Sequence, residues 1–101
     1  MQNIEGKVAY ITGGTKGIGL GIAKALVENG VKVAISGRNI DDVEKARHYL
    51  GKENVLAIQS DVRFFEDEQN AVEQLISTFG RLDIVIANAG LGKFAPIDEM
   101  S

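Results

Sequence analysis

Eight residues near the start of the chain, 12–19, have the sequence TGGTKGIG and could bind an anion. They follow the apolar run KVAYI, which predicts a buried strand, and lead into a segment with helical spacing of apolar residues. Glycine gives up more backbone freedom than any other residue, so four glycines in this stretch indicate a need for bare backbone. Free N–H groups and the positive dipole end of a helix beginning here would attract a phosphate.

Three of these glycines, Gly13, Gly17 and Gly19, have the spacing G-x-x-x-G-x-G. We expect Gly13 to permit a sharp exit from the strand and Gly17 to leave room for a phosphate-bearing ligand. Gly19, helped by Gly21, would let the helix lie close on the sheet. Neither an ATP-type phosphate loop nor the G-x-G-x-x-G pattern fits, since Gly21 comes one residue too early for the latter. A glycine turn that binds nothing is the alternative.

Short apolar runs alternate with longer segments of helical period, which is typical of a parallel α/β sheet covered by helices on both faces. The predicted strands are residues 7–12, 32–36, 55–60 and 82–88. Right-handed crossovers give the strand order 3-2-1-4, in which the crevice opens above strands 1 and 4. The glycine turn would lie at that crevice.

Three apolar stripes predict the helices between these strands. Their members are Ile18, Ile22 and Leu26, then Val43, Ala46 and Leu50, then Val72, Leu75, Ile76 and Phe79. Each stripe is followed by a glycine that would end its helix in a left-handed conformation. These are Gly30, Gly51 and Gly80.

Composition excludes several classes of protein. At 101 residues the chain is one domain at most, and it has neither a secretory signal nor an apolar run long enough to span a membrane. It has no Cys and a single His, which argues against disulfides and transition-metal sites. A net charge of −3 with dispersed cations argues against a nucleic-acid surface. The cytoplasm is the default location.

Three motifs resemble those of the short-chain dehydrogenase/reductase family, and they occur in family order. TGGTKGIG is similar to the T-G-x-x-x-G-x-G cofactor motif, SDV at 60–62 to the acidic turn after strand 3, and IANAG at 86–90 to the N-N-A-G motif. One departure is Ala87, where the family more often has Asn. The resemblance implies a doubly wound, Rossmann-like sheet and hydride transfer between a nicotinamide cofactor and a small carbonyl or alcohol substrate. It also implies a dimer or tetramer.

The resemblance assigns cofactor contacts to positions in all three motifs and at the end of strand 2. They are Gly13, Thr15, Lys16, Gly17, Ile18, Gly19, Arg38, Asp61, Val62, Asn88, Ala89 and Gly90. Asp61 would accept from the adenine amino group and Val62 would offer a backbone contact, while Asn88 and Gly90 would lie beside a ribose. A turn or helix-capping aspartate is the alternative for Asp61, and satisfaction of loop backbone is the alternative for Asn88.

The tip of strand 2 bears on which nucleotide is bound. A ribose 2′-hydroxyl is commonly held by an acid at this point, whereas a 2′-phosphate needs a cation, and the sequence here is Ser-Gly-Arg38. With Lys16 in the glycine turn, this favours NADP(H) over NAD(H). Asp41 and Asp42 could act as the acid of an NAD(H) site. We assign them instead to the first turn of the second helix, behind an Asn39 cap and facing water.

The resembling family places its catalytic Ser and Tyr-x-x-x-Lys further along the chain, and no such pair occurs here. Tyr10 is followed by Gly14 at the fourth position, and Tyr49 meets Lys52 at a spacing of three. Both tyrosines are therefore predicted to be structural. We expect residues 1–101 to be the cofactor-binding part of one Rossmann-fold domain, ending before its fourth long helix and inactive alone. A non-catalytic nucleotide-binding module is the alternative.

Overall fold

Strands and helices alternate along the chain in a computed structural model that describes residues 4–51, 53–61 and 63–87. The strands are β1 (Val8–Thr12), β2 (Lys32–Gly37), β3 (Val55–Gln59) and β4 (Ile84–Ala87). The helices are α1 (Gly17–Glu28), α2 (Ile40–Leu50) and α3 (Phe65–Phe79). Each predicted element is present, with bounds that differ by a few residues. The predicted end of strand 4, Asn88, lies outside the described residues.

The four strands form one parallel sheet in the order β3-β2-β1-β4, which confirms the predicted topology. Thr12 at the end of β1 is in register with Ser36 of β2 and Ala87 of β4. Gly37 of β2 is in register with Gln59 of β3. All four carboxyl ends therefore meet at one edge of the sheet, where the glycine turn begins.

Alternate residues of the strands enter two separate apolar cores, one on each face of the sheet. Ile11 and Ile35 pack beneath α1 and α2 with Ala23 and Leu50. On the opposite face, Tyr10 belongs to a second core with residues of α3. Burial on both faces explains why β1 is apolar at nearly every position.

Two of the three predicted helical stripes need a correction. Ile18 is 76% exposed, because the buried positions of α1 are Gly19 and Ala23. In α3, Ile76 is 41% exposed, whereas Leu75 of the same predicted stripe is fully buried. Positions four residues apart drift by about 40° around the axis of a helix, so members at the margin of a stripe can lie outside the buried face.

The glycines predicted to end the three helices all have positive φ. The angles are +83° at Gly30, +99° at Gly51 and +85° at Gly80, a region that other residues rarely adopt. In the described part of the chain, no helix combines the length and the apolar character that crossing a membrane requires. Nor do the described residues contain a group of three or more His, Asp or Glu side chains that could hold a metal ion.

Candidate functional site

The amino end of α1 differs from those of the other two helices. Lys16 precedes it in an extended conformation, with no side-chain cap and no acidic residue in the first turn. In contrast, α2 has an Asn39 cap and two acids in its first turn, and α3 has three acids. The positive end of the α1 dipole is therefore not offset by its own side chains, which suits it to an external anion.

The glycines of the turn have distinct geometries. Gly13 and Gly17 have φ of +69° and +57°, and a Cβ added at Gly17 would meet nothing within 4 Å. Gly19 is buried, whereas a Cβ at Gly21 would also meet nothing, so the predicted help from Gly21 in helix packing is wrong. The tight contact lies at Gly14, where a Cβ would be 2.8 Å from Ile35 Cγ2.

A second close approach joins the turn to the end of β2. The methyl group of Thr15 lies where a side chain on Gly37 would be, 2.9 Å from the position of its Cβ. Next to it, Gln59 Nε2 donates to the Arg38 carbonyl oxygen at 3.0 Å, and the Ser60 N–H donates to the Gly37 carbonyl oxygen at 2.9 Å. The backbone that carries the exposed Arg38 is therefore anchored to β3.

Lys16 extends from the turn towards α2. Its Nζ atom lies 3.2 Å from Asp42 Oδ2, and the two side chains are 75% and 30% exposed. Asn39 Oδ1 accepts hydrogen bonds from the backbone N–H groups of Asp41 and Asp42, as the sequence predicted. The expectation that Asp42 simply faces water is wrong, because it forms an ion pair with the cation of the glycine turn.

Asp61 lies in the turn after β3, and its carboxylate is held by Arg63. The Arg63 side chain donates from Nε at 3.0 Å and from Nη2 at 2.6 Å, and its backbone N–H donates at 3.0 Å. The Arg63 side chain, followed by this backbone bond, lowers the pKa of Asp61 to about 2. The Asp61 N–H donates to Asp67 Oδ2 at 3.0 Å. Asp61 therefore stabilises the turn, which was the alternative predicted for it. This role does not exclude a contact between its carboxylate and a ligand.

The remaining predicted site residues divide into two groups. Ile18 is exposed beside Gly17 at the start of α1, on the surface that leads into the glycine turn. The others lie outside the described residues. These are Val62, Asn88, Ala89 and Gly90.

Both tyrosines make contacts away from the glycine turn. Tyr10 is 2% exposed, and its hydroxyl lies 3.1 Å from Ser36 Oγ and 3.1 Å from Glu68 Oε1. Burial is the largest cause that raises the pKa of Tyr10 to about 12. Lys24 Nζ lies 4.7 Å from the centre of the Tyr49 ring.

Sequence reasoning missed several residues that shape this edge of the sheet. Gly14 and Gly37 owe their roles to neighbours brought close only by folding, so no local pattern identifies them. Gln59 likewise acts across strands. Arg63 was detectable, since a cation two residues after an aspartate in a predicted turn can fold back onto the carboxylate.

The profile of one protein family, described as short chain dehydrogenase, matches residues 7–101. The chain belongs to this family. This match confirms the family resemblance of the sequence.

Two named oxidoreductases are similar to this chain over much of its length. It is 40% identical over 100 residues to a hydroxynaphthalene reductase of Aspergillus fumigatus. The match covers 95% of this chain and 36% of the reductase. It is also 40% identical over 90 residues to the secoisolariciresinol dehydrogenase of Forsythia intermedia, covering 89% and 32% of the two chains. The chain thus spans about a third of the length of these relatives.

Two solved structures match the fold closely. A 3-ketoacyl-(acyl-carrier-protein) reductase from Brucella melitensis, complexed with NADH, has a TM-score of 0.77 and 39% identity. That match covers 81% of this chain and 33% of the other. The apo-form glucose dehydrogenase of Caenorhabditis elegans has a TM-score of 0.83 and 32% identity over 89% of this chain and 40% of its own.

Proposed function

We propose that this chain forms the dinucleotide-binding part of an NADP(H)-dependent oxidoreductase. The cofactor would supply hydride chemistry between its nicotinamide and the carbon of a small carbonyl or alcohol substrate. The chain's own residues hold and orient the nucleotide. Tyr10 is not suited to proton transfer at such a site, since it is buried with a raised pKa. The proposed contribution of residues 1–101 is therefore binding, and we expect no turnover from them alone.

The amino end of α1 is the observation that carries this proposal. It has no side-chain cap and no acid of its own, and the space that a Cβ on Gly17 would occupy is open. A pyrophosphate placed there would accept from backbone N–H groups and lie at the positive end of the dipole. Gly13, Thr15, Gly19 and the exposed Ile18 would complete this cradle.

Two cations support NADP(H) as the nucleotide. Arg38 at the tip of β2 has no acid beside it in the sequence, where its neighbours are Gly37 and Asn39, and its backbone is anchored by Gln59. Lys16 lies at the other side of the same edge. A guanidinium and an ammonium suit a 2′-phosphate, whereas neither can accept from a ribose hydroxyl. NAD(H) is the alternative, and the Brucella melitensis relative was crystallised with NADH.

The adenine would lie over the ends of β2 and β3. Asp61 would accept from its amino group, in competition with Arg63, and Val62 would contribute a backbone contact. A ribose of the cofactor would lie beside Asn88, Ala89 and Gly90. These five assignments rest on the family resemblance.

The cradle is tested by comparing two glycines of similar geometry. Gly17→Ala should weaken NADPH and NADH binding alike, because the new Cβ occupies space assigned to the pyrophosphate. Gly6→Ala is the matched control, since Gly6 has φ of +86° and open space but lies before β1 at the opposite edge of the sheet. Both substitutions should destabilise the fold by about 1–2 kcal/mol. Equal nucleotide affinities in the two variants, measured by calorimetry, would rule out the cradle.

The choice of nucleotide is tested by removing the two cations together. Lys16→Met with Arg38→Gln should weaken NADPH binding by about a hundredfold or more, since each of the two charge-assisted bonds contributes about 1.5–3 kcal/mol. NADH affinity should stay within about twofold because NADH has no 2′-phosphate. Lys45→Gln, which removes an exposed cation from α2, is the control. Unchanged NADPH affinity would contradict the 2′-phosphate assignment while leaving the cradle intact.

A further inference from the structure

We propose that Asp42 sets the degree of preference for NADPH over NADH by competing with the 2′-phosphate for Lys16. This inference rests on the proposed function, in which Lys16 binds that phosphate. Asp42 would touch neither the nucleotide nor the reacting atoms. It would act through Lys16 as a specificity-determining residue.

The ion pair between Lys16 and Asp42 joins two elements that flank the proposed nucleotide site. Lys16 immediately precedes α1, and Asp42 lies in the first turn of α2. Their charged atoms are 3.2 Å apart. The glycine turn and the first turn of α2 are thus connected through the same ammonium group that is assigned to the phosphate.

Lys16 lies at a position where a positive charge is unfavourable unless an anion is close to it. It precedes the first turn of α1, at the positive end of the helix dipole, where a positive charge is unfavourable. The first turn of α1 offers no acid, so the carboxylate comes from α2. A bound 2′-phosphate would be a second anion for the same ammonium.

The two partners differ in their freedom to move. Asp42 is 30% exposed, and its backbone N–H donates to Asn39 Oδ1 at 3.3 Å, which fixes it in the capped turn of α2. Lys16 is 75% exposed on a flexible four-carbon side chain. Lys16 is therefore the group that turns from the carboxylate towards the phosphate, leaving Asp42 without its ion pair.

Asp41 provides a matched control for Asp42. It is the neighbouring acid of the same helical turn, and its N–H donates to the same Asn39 oxygen at 2.8 Å. Among the residues that the structure describes, however, it is exposed and takes part in no ion pair. Asp41→Asn and Asp42→Asn remove equal charge from equivalent positions relative to the α2 dipole, and only Asp42→Asn releases Lys16.

The experiment measures NADPH and NADH dissociation constants by calorimetry for the natural full chain and both variants at low ionic strength. Asp42→Asn should tighten NADPH binding by about two- to fivefold relative to Asp41→Asn, the range corresponding to a solvent-exposed ion pair. NADH binding should be the same in both variants. The difference for NADPH should shrink at high salt, because exposed charges are screened.

A double-mutant cycle with Lys16→Met separates this contact from a general charge effect. In the Lys16→Met background, Asp42→Asn should no longer alter NADPH affinity beyond the Asp41→Asn control. Weaker NADPH binding in Asp42→Asn, or identical effects of the two asparagine variants, would overturn the competition. Those outcomes leave NADPH binding by the unaltered chain intact, whereas absence of binding of either nucleotide to that chain would refute the proposed function itself.

Discussion

The hydroxyl of Tyr10 lies 3.1 Å from Glu68 Oε1 and connects the centre of the sheet to α3. Ser60 Oγ donates to the other oxygen of this carboxylate at 2.6 Å, and Ser36 Oγ lies 3.1 Å from the phenol oxygen. The side chains come from β1, β2, the end of β3 and α3. This polar network occurs inside a core that is otherwise apolar, and it fixes the segment that leads to Asp61.

Removing the phenol oxygen should destabilise the fold. Tyr10→Phe removes one hydroxyl donor to the Glu68 carboxylate, which keeps the bond from Ser60, and loss of a hydrogen bond to a charged group costs about 1.5–3 kcal/mol. Urea unfolding measures the change in free energy. Tyr49→Phe is the control because that ring is 58% exposed, and its effect should stay within about 0.5 kcal/mol. Equal losses in the two variants would contradict a stabilising network.

The same network predicts how stability depends on alkaline pH. Burial raises the pKa of Tyr10 from 10.0 to about 12 in the folded protein, so between these values the folded state retains a proton that the unfolded state has lost. The contribution of Tyr10 is fully present below pH 10 and is lost as pH rises through about 12. A shift of this size corresponds to about 2–3 kcal/mol.

This dependence is measured against Tyr10→Phe, since lysines also titrate in that range. The stability advantage of the unaltered chain should decline between pH 10.0 and about pH 12. The tyrosinate absorbance that the variant lacks should have its midpoint at about pH 12. A midpoint at the ordinary value of 10.0 would show that the phenol is solvated.

Two glycines near the start of α1 should respond oppositely to alanine. Gly14→Ala places a methyl group 2.8 Å from Ile35 Cγ2, and overpacking of this kind costs about 1–3 kcal/mol. Gly21→Ala meets nothing within 4 Å and lies inside the helix, so it should stabilise by about 0.5–1 kcal/mol. Thermal unfolding distinguishes the two signs. Destabilisation by both variants would contradict the assigned packing.

Much of the fold follows from local pattern. Apolar runs bounded by glycines gave the strands, and right-handed crossovers were enough to order them, because parallel connections leave few alternatives. The errors at Ile18 and Ile76 concern residues at the margins of their stripes, since each residue turns a helix by about 100° and each four-residue step drifts by about 40°. The exposure of such marginal residues depends on how the sheet lies beneath the helix.

The candidate site was less predictable than the fold. The uncapped start of α1 could be inferred from its glycines, and the Asn39 cap from its position before two acids. The contact of Lys16 with Asp42 could not, because it joins side chains whose elements meet only after β1 and β2 have paired. The same holds for the Tyr10 network, which requires a helix from the opposite end of the described chain.

Arg63 should control the ionisation of Asp61, the acid proposed for the adenine. Its side chain is the largest cause that lowers the pKa of Asp61 from 3.8 to about 2. The stabilisation from the carboxylate is therefore present above 3.8 and lost as pH falls through about 2. In Arg63→Gln the pKa should rise but stay below 3.8, since the backbone N–H at 3.0 Å still donates. The loss of stability should then still begin near pH 3.8, but it should be smaller and end at a higher pH than in the unaltered chain.

Carboxyl NMR titration measures this change directly, and a second Arg–Asp pair provides the control. Arg81 donates to Asp83 from Nε at 2.9 Å and Nη2 at 2.8 Å and lowers its pKa. Arg81→Gln should therefore raise the pKa of Asp83 and leave that of Asp61 unchanged, whereas Arg63→Gln should do the reverse. If the Asp61 pKa stays at about 2 without Arg63, the backbone bonds of the turn hold the carboxylate. Arg63 would then not be a competitor for the adenine amino group.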